Sequence, residues 1–307
     1  MIPIGNGNDR STEEAAARFQ RLDTWPSASV LEALWAGQIR AVASCLPALP
    51  ALSRAVDGAV ERLAAPSTGR LVYAGAGSSG MIAALDAGDL GATFNWPEHR
   101  TLVIVAGGID LERGPDPAAE DDAAGGHARA AQAGLGPRDV VLGVSASGGS
   151  AHVIAVVEEA RRRGAMTVAV VNRTDSALGR AADHAVVVPT GAEVIAGSTR
   201  LAAGTAQKLV LNLFSTAVMV GLGAVFDNLM IEVRPANAKL RQRRTAIVAS
   251  IAGVEPAIAA DALARHGDVK RAVLGIAGLS DPEIDAALAA AGGKLRLALA
   301  SARSRPR

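Results

Sequence analysis

The sequence predicts an α/β fold: a parallel β-sheet with helices on both faces, a helical N-terminal layer before it and a small helical appendage after it. Three observations predict it. Five short β-branched runs recur (Leu71 to Ala74, Thr101 to Val105, Val140 to Val144, Thr167 to Val171, Ala185 to Val188), each followed by a turn and then a helical pattern. Residues 11–65 are rich in helix formers, broken only at Trp25-Pro26 and Leu46-Pro47. From Arg234 onward the chain changes to short helical pieces punctuated by Gly253, Gly267 and Gly278.

Taken in order, residues 1–55 form a helical segment packing on the sheet domain, 56–225 the sheet domain, and 226–307 a linker and small helical domain. After Val188 the stretch GAEVIAGSTR (191–200) is a turn-rich connection, and Ser198 or Thr199 is placed to cap the long helix that runs on past Met219. The C-terminal pieces are expected over Ala238 to Ile251, Pro256 to His266, Val269 to Ile276 and Asp281 to Ala290, ending in a solvated tail, SARSRPR. There is no internal repeat or low-complexity tract.

Composition removes several classes of function. With 31 Lys and Arg against 30 Asp and Glu, the net charge of +1 gives no field to draw in nucleic acid or an anionic membrane. Any anion must be held locally. The single cysteine, Cys45, excludes a disulfide within one chain and fits a reducing cytoplasm; the opening MIPIGNGNDRSTEE has no basic region followed by an apolar stretch, so export is not expected. The apolar segment from Ala203 to Gly223 carries Gln207, Lys208 and Asn212, and reads as a core or subunit-interface helix rather than a membrane span. Aromatic residues are 3% of the chain, too few for stacking platforms.

Two loops stand out. In LVYAGAGSSG (71–80) a strand runs into glycines and hydroxyls and then into a helix beginning near Met81. Helix N-terminal amides together with Gly77, Ser78 and Ser79 make a cradle for phosphate. Gly75, Gly77 and Gly80 also satisfy GxGxxG, but the next run ends in Ala-Gly-Gly instead of the acidic residue a dinucleotide site needs, and a purely structural turn gives the same pattern. The second loop, VVLGVSASGGS (140–150), repeats the design with Ser145, Ser147, Gly148 and Ser150. Two hydroxyl-rich strand ends suit one phosphorylated sugar; the competing reading is that these serines cap helices.

Acidic residues form a third group: Asp86 and Asp89 after the first loop, and Glu120-Asp121-Asp122 after the Ala-Gly-Gly turn. Most helix-surface carboxylates are solvated charge, yet abstraction of a proton beside a carbonyl with loss of an alkoxide needs a base and an acid. The five histidines lack metal-ligand spacing, so no metal is expected. His152, just after the second loop, is read as packing before ligand contact, and Arg161-Arg162-Arg163 as a solvated helix end.

With both loops placed, the chain resembles the sugar isomerase (SIS) domain family, and within it the N-acetylmuramic acid 6-phosphate etherases and the glucokinase regulatory protein. The most specific stretches are GAEVIAGSTRLAAGTAQKLVLNLFSTAVM (191–219) and FDNLMIEVRPANAKL (226–240); GAGSSG, LDAGD, AGG, AAEDD and SASG fall in the family's order, and the tail resembles its helical C-terminal region. The resemblance implies a three-layer SIS domain with a five-stranded parallel sheet, a homodimer with active sites near the subunit boundary, and no metal or organic cofactor. It implies cleavage of the D-lactyl ether of N-acetylmuramic acid 6-phosphate to N-acetylglucosamine 6-phosphate and D-lactate. The glutamate that protonates the departing lactate in these enzymes matches Asp89, and the second acidic residue matches Glu120. Glu193 is a further candidate ligand contact. Where the family usually reads Asp-Ala-Ser-Glu this chain has Asp-Ala-Gly-Asp, shortening the acid by about 1.5 Å. Met81, Gly149 and Ala202 stand where the family usually carries two arginines and a lysine. The alternatives are a regulatory protein that binds a sugar phosphate, or a phosphosugar isomerase or deaminase.

Overall fold

Among the described residues two α-helices precede the sheet, α1 (Ser27–Ser44) and α2 (Leu49–Leu63), separated at Leu46-Pro47, where proline at the second residue of a short 3₁₀ turn stops one helix before the next begins. The computed structural model describes residues 12–64, 68–235 and 237–303. The sequence MIPIGNGNDRS and the last four residues lie outside them.

Five strands follow with their crossover helices: β1 (Leu71–Gly75), α3 (Gly77–Phe94), β2 (Thr101–Val105), α4 (Ala123–Gln132), β3 (Val140–Ser145), α5 (Ala151–Arg162), β4 (Met166–Val171), α6 (Ala177–Ala181) and β5 (His184–Val187). All pairings are parallel and the order is β2-β1-β3-β4-β5. The expected sheet is therefore present. Every residue of β1, β3 and β4 is buried, as a parallel sheet covered on both faces requires.

Alternation along the strands sorts side chains between the two faces. Val72, Ala74, Ile104, Val141, Ala169 and Val171 meet Val153, Val156 and Val157 of α5 and Leu178 of α6. On the other face Met166 lies under α2, where a Cβ on Gly58 would come within 2.9 Å of its Cε. The small residue lets the helix lie close to the strand.

The chain divides into two compact units, one running up to Gly88 with His99–Ser215, the other comprising Asp89–Glu98 with the chain from Thr216 onward. Helix α7 (Ala202–Gly221) and α3 both run through a division point. The second unit has a short antiparallel pair, β6 (Val225–Phe226) and β7 (Leu229–Met230), then α8 (Ala238–Ala252), α9 (Pro256–His266), α10 (Val269–Ile276), α11 (Asp281–Ala290) and α12 (Leu295–Arg303). Its own core gathers Ile231, Ile247, Val248, Val273, Leu274, Ile284 and Leu295. Asn237 caps α8, Asp268 caps α10, and Ser280 with Glu283 forms a capping box on α11. The expected solvated tail is in part the end of α12, because Leu295, Ala298 and Leu299 are buried on one helical face.

Candidate active site

The strand order reverses between β1 and β3: the chain leaves β1 for β2 on one side and returns to β3 on the other. Ligands of open parallel sheets bind beyond the carboxyl ends of the strands at such a point. The loops leaving β1 and β3 are the two hydroxyl-rich loops of the sequence, and the register from Leu71↔Val140 to Gly75↔Val144 sets their strand ends level.

The first loop is shaped by close backbone contact. A Cβ on Gly75 would lie 2.6 Å from the Gly80 Cα, and one on Gly80 would lie 2.8 Å from Val105 Cγ1 and 3.1 Å from the Gly75 carbonyl carbon. Only glycine fits at either place. Gly77 is left-handed (φ 54°) with open space beside its Cα, and α3 begins there, four residues before Met81. Ser78 is half-buried and Ser79 buried, and among the described residues neither hydroxyl has a hydrogen-bond partner. They stand at the helix N-terminus beside amides whose dipoles favour an anion.

The second loop is held by its own hydroxyls. Ser145 Oγ accepts from the Gly148 amide (3.0 Å) and Ser147 Oγ from the Gly149 amide (3.1 Å). Each keeps its proton free to donate. Gly148 is left-handed (φ 65°), and any Cβ there would strike the Ser176 side chain. Ser145 is buried and Ser147 exposed. Ser150 opens α5 at the N-cap but does not cap it; its hydroxyl donates to the Glu120 carbonyl at 3.3 Å.

Glu120 sits half-buried in a short 3₁₀ turn, Pro117–Asp121, whose start is capped by Asp116. Burial, aided by the neighbouring Asp121 charge, raises its pKa, which makes the carboxylate a better proton acceptor. On α3, Asp86 is buried and accepts from Tyr73 Oη at 3.0 Å, with Lys208 Nζ 3.9 Å away. Burial and then the Asp86 charge raise the Tyr73 pKa well above its usual value. Asp86 thus ties α3 to β1 and α7. Asp89, three residues on, is exposed.

Glu193 is 1% exposed and caps α7, with one oxygen accepting from the Ala202 amide and the other from Ala203, both at 2.9 Å. This corrects the expected cap: Ser198 and Thr199 contribute backbone carbonyls to the turn before α7, while the side-chain cap comes from further back. Burial raises the Glu193 pKa, opposed by its two amide partners and Arg40. Ala202, where the family usually has lysine, is buried at the first residue of α7.

Sequence reasoning passes over the polar roles of Tyr73 and Asn172, while Gln207 and His152, read from sequence as core-helix and packing residues, are buried. Tyr73 reads there only as part of a strand. Asn172 and Gln207, joined at 2.9 Å, lie next to the end of β4 and on α7. His152, 4% exposed, points Nδ1 at the Asp122 carbonyl (3.2 Å). Arg162 and Arg163, by contrast, pair with Glu159 at the end of α5 as a solvated helix end would. No group of three or more His, Cys, Asp or Glu side chains is placed to hold a metal among the described residues.

Residues 122–217 match the SIS domain model. Proteins named N-acetylmuramic acid 6-phosphate etherase are similar over almost the full length: that of Deinococcus radiodurans is 40% identical over 292 residues, covering 94% of this chain and 95% of its own. That of Rubrobacter xylanophilus is 40% identical over 294 residues, covering 95% and 96%. The chain belongs to the N-acetylmuramic acid 6-phosphate etherase family. Among solved structures, phosphoheptose isomerases from Francisella tularensis (TM-score 0.46, 20% identity, 64% of this chain and 100% of that one) and Neisseria gonorrhoeae (0.47, 19%, 63% and 98%) are similar. Within the etherase family the SIS match takes in the second loop, Glu193 and most of α7, and starts two residues after Glu120.

Proposed function

We propose that the chain is a carbon–oxygen lyase that cleaves the D-lactyl ether of N-acetylmuramic acid 6-phosphate, giving N-acetylglucosamine 6-phosphate and D-lactate. One arrangement carries the reading: two hydroxyl-bearing loops flank the β1/β3 switch point, and one of them is tied to the turn that bears Glu120. The phosphate is held by the first turn of α3 with Gly77, Ser78 and Ser79, and Ser145 and Ser147 donate to the sugar phosphate from the other side, on a loop whose turn is made by Gly148. Glu193 shapes the approach by fixing the start of α7.

The chemistry is elimination followed by hydration. In the open-chain sugar the C1 aldehyde acidifies the C2 proton, Glu120 accepts that proton, and the C3–O bond breaks as Asp89 protonates the departing lactate oxygen. Water then adds its hydroxyl to C3 and a proton returns to C2, so the sum is ether plus water to alcohol plus lactate. Incubation with N-acetylmuramic acid 6-phosphate in D2O tests this, with equimolar D-lactate and C2-deuterated N-acetylglucosamine 6-phosphate expected. Binding without lactate would point instead to a regulatory sugar-phosphate binder, and an aldose–ketose product to an isomerase.

We also place the chain in the cytoplasm as a homodimer, supported by the buried free thiol of Cys45 and by an apolar stripe on α1: Leu31, Trp35, Ile39 and Val42, all about half exposed or more. Trp35→Glu is expected to shift the species seen by sedimentation velocity from dimer to monomer; an unchanged dimer would place the interface elsewhere.

A further inference from the structure

Glu120 has an awkward position for a group that must be held to within a fraction of an ångström. It lies on no strand and no long helix, but in a 3₁₀ turn preceded by an exposed stretch in which Ile109 is 51% and Leu111 82% exposed. Asp116 caps the turn only locally, by accepting from the Ala118 amide at 3.0 Å. Ala119 packs the turn on the core, and the turn's side-chain hydrogen bonds to the sheet domain come from the first turn of α5.

Ser150, at the N-cap of α5 and 2% exposed, leaves its own helix uncapped and donates to the Glu120 carbonyl. His152, two residues on, reaches the Asp122 carbonyl with Nδ1. A carbonyl can only accept, so Nδ1 carries the proton, and Nε2 is left as a buried acceptor with no partner. An uncapped helix start and an orphaned ring nitrogen are both unfavourable, and both follow from turning these side chains toward the 120–122 segment. The two helices are also locked at this point, since a Cβ on Gly126 of α4 would strike the His152 carbonyl oxygen.

We infer that His152, with Ser150, is a positioning residue for the etherase reaction: it tethers the turn that carries Glu120 to the loop that carries Ser145 and Ser147, so that the base and the sugar-binding hydroxyls share one frame. The inference rests on the reading of Glu120 as the C2 base. It is separate from substrate contact, because the His152 ring faces the protein and not the open end of the loop.

Leucine and asparagine substitutions separate the tether from packing. His152→Leu keeps most of the volume and removes the donor; His152→Asn puts an amide N–H close to the Nδ1 position. Lactate release by His152→Leu is expected to fall at least about tenfold in kcat with KM within about twofold, and His152→Asn to return to within about threefold of wild type. A packing role would reverse that order, with leucine the better replacement. In a Glu120→Gln background, His152→Leu should cost nothing further in kcat, because it acts through the missing base. Should His152→Leu fail to fold, Ser150→Ala and its rescue by Ser150→Thr ask the same question of the other tether. Unchanged kcat in His152→Leu while Glu120→Gln is inactive overturns the tether and leaves the base; normal turnover by Glu120→Gln overturns the base itself.

Discussion

The loops after β1 and β3 look alike in sequence and are built in opposite ways. In the first, shape comes from the backbone, with Gly75 and Gly80 in contact, and the hydroxyls of Ser78 and Ser79 have no partner among the described residues. In the second, shape comes from the hydroxyls, with Ser145 and Ser147 holding the Gly148 and Gly149 amides and Ser150 reaching the Glu120 carbonyl. The same residue type at the same topological place thus holds the protein's own backbone in one loop and not in the other.

The largest effect that would test this contrast is on chemistry. If the second loop's purpose includes holding Glu120, Glu120→Gln should lower kcat for lactate release by on the order of 10² to 10⁴ and abolish C2 deuterium incorporation while phosphosugar binding survives. Retained deuterium exchange would separate the loop from the base. Next is the backbone-built loop: Gly80→Ala places a methyl against Val105 and the Gly75 backbone, and should cost about 1–3 kcal/mol by urea unfolding as well as phosphate affinity. Tolerance of alanine there would mean that the loop is not closed as described.

A matched pair sharpens the comparison. If Ser79 is a donor to the phosphate, as proposed above, Ser79→Ala should raise KM about tenfold with stability unchanged. Ser145→Ala should do the reverse in proportion, losing about 1–3 kcal/mol of stability because the buried Gly148 amide loses its acceptor. Equal effects on both quantities in both variants would erase the distinction.

The smallest effect is on pH dependence. Burial lowers the His152 pKa below 6.5, opposed by the Asp122 carbonyl and charge and reinforced by Arg129. A histidine depressed in the folded state favours the deprotonated form. Its contribution is complete above the unfolded value near 6.5 and is lost as pH falls from there through the folded pKa. Urea midpoints measured from pH 7.5 to 5 should therefore fall less steeply for His152→Asn than for wild type.

The sheet is legible in the sequence because each strand is a short apolar run followed by a turn, a signal carried within the run and its immediate flank. The start of α3 is not, since Gly77, Ser78 and Ser79 are weak helix formers and the close approach of Gly75 and Gly80 that shapes the turn joins residues five apart. The hydroxyls can be found from sequence but not their partners. Ser150 and His152 each bond a residue 30 positions back, and Glu193 caps a helix nine and ten residues ahead, distances at which no local pattern announces the pairing. Ser198 and Thr199 are the natural capping choice by proximity, and a buried carboxylate displaces them.

The position of β1 has a consequence for how the chain comes into being. Its residues bond β2 on one side and β3 on the other, and the second partner ends only at Ser145. During synthesis at bacterial or eukaryotic rates, one edge of a strand that is fully buried in the fold therefore waits on the order of 4–15 s for its neighbour to leave the ribosome. In that interval the nascent chain offers an open template for pairing with other strands, and the demand for chaperone protection should be greatest there.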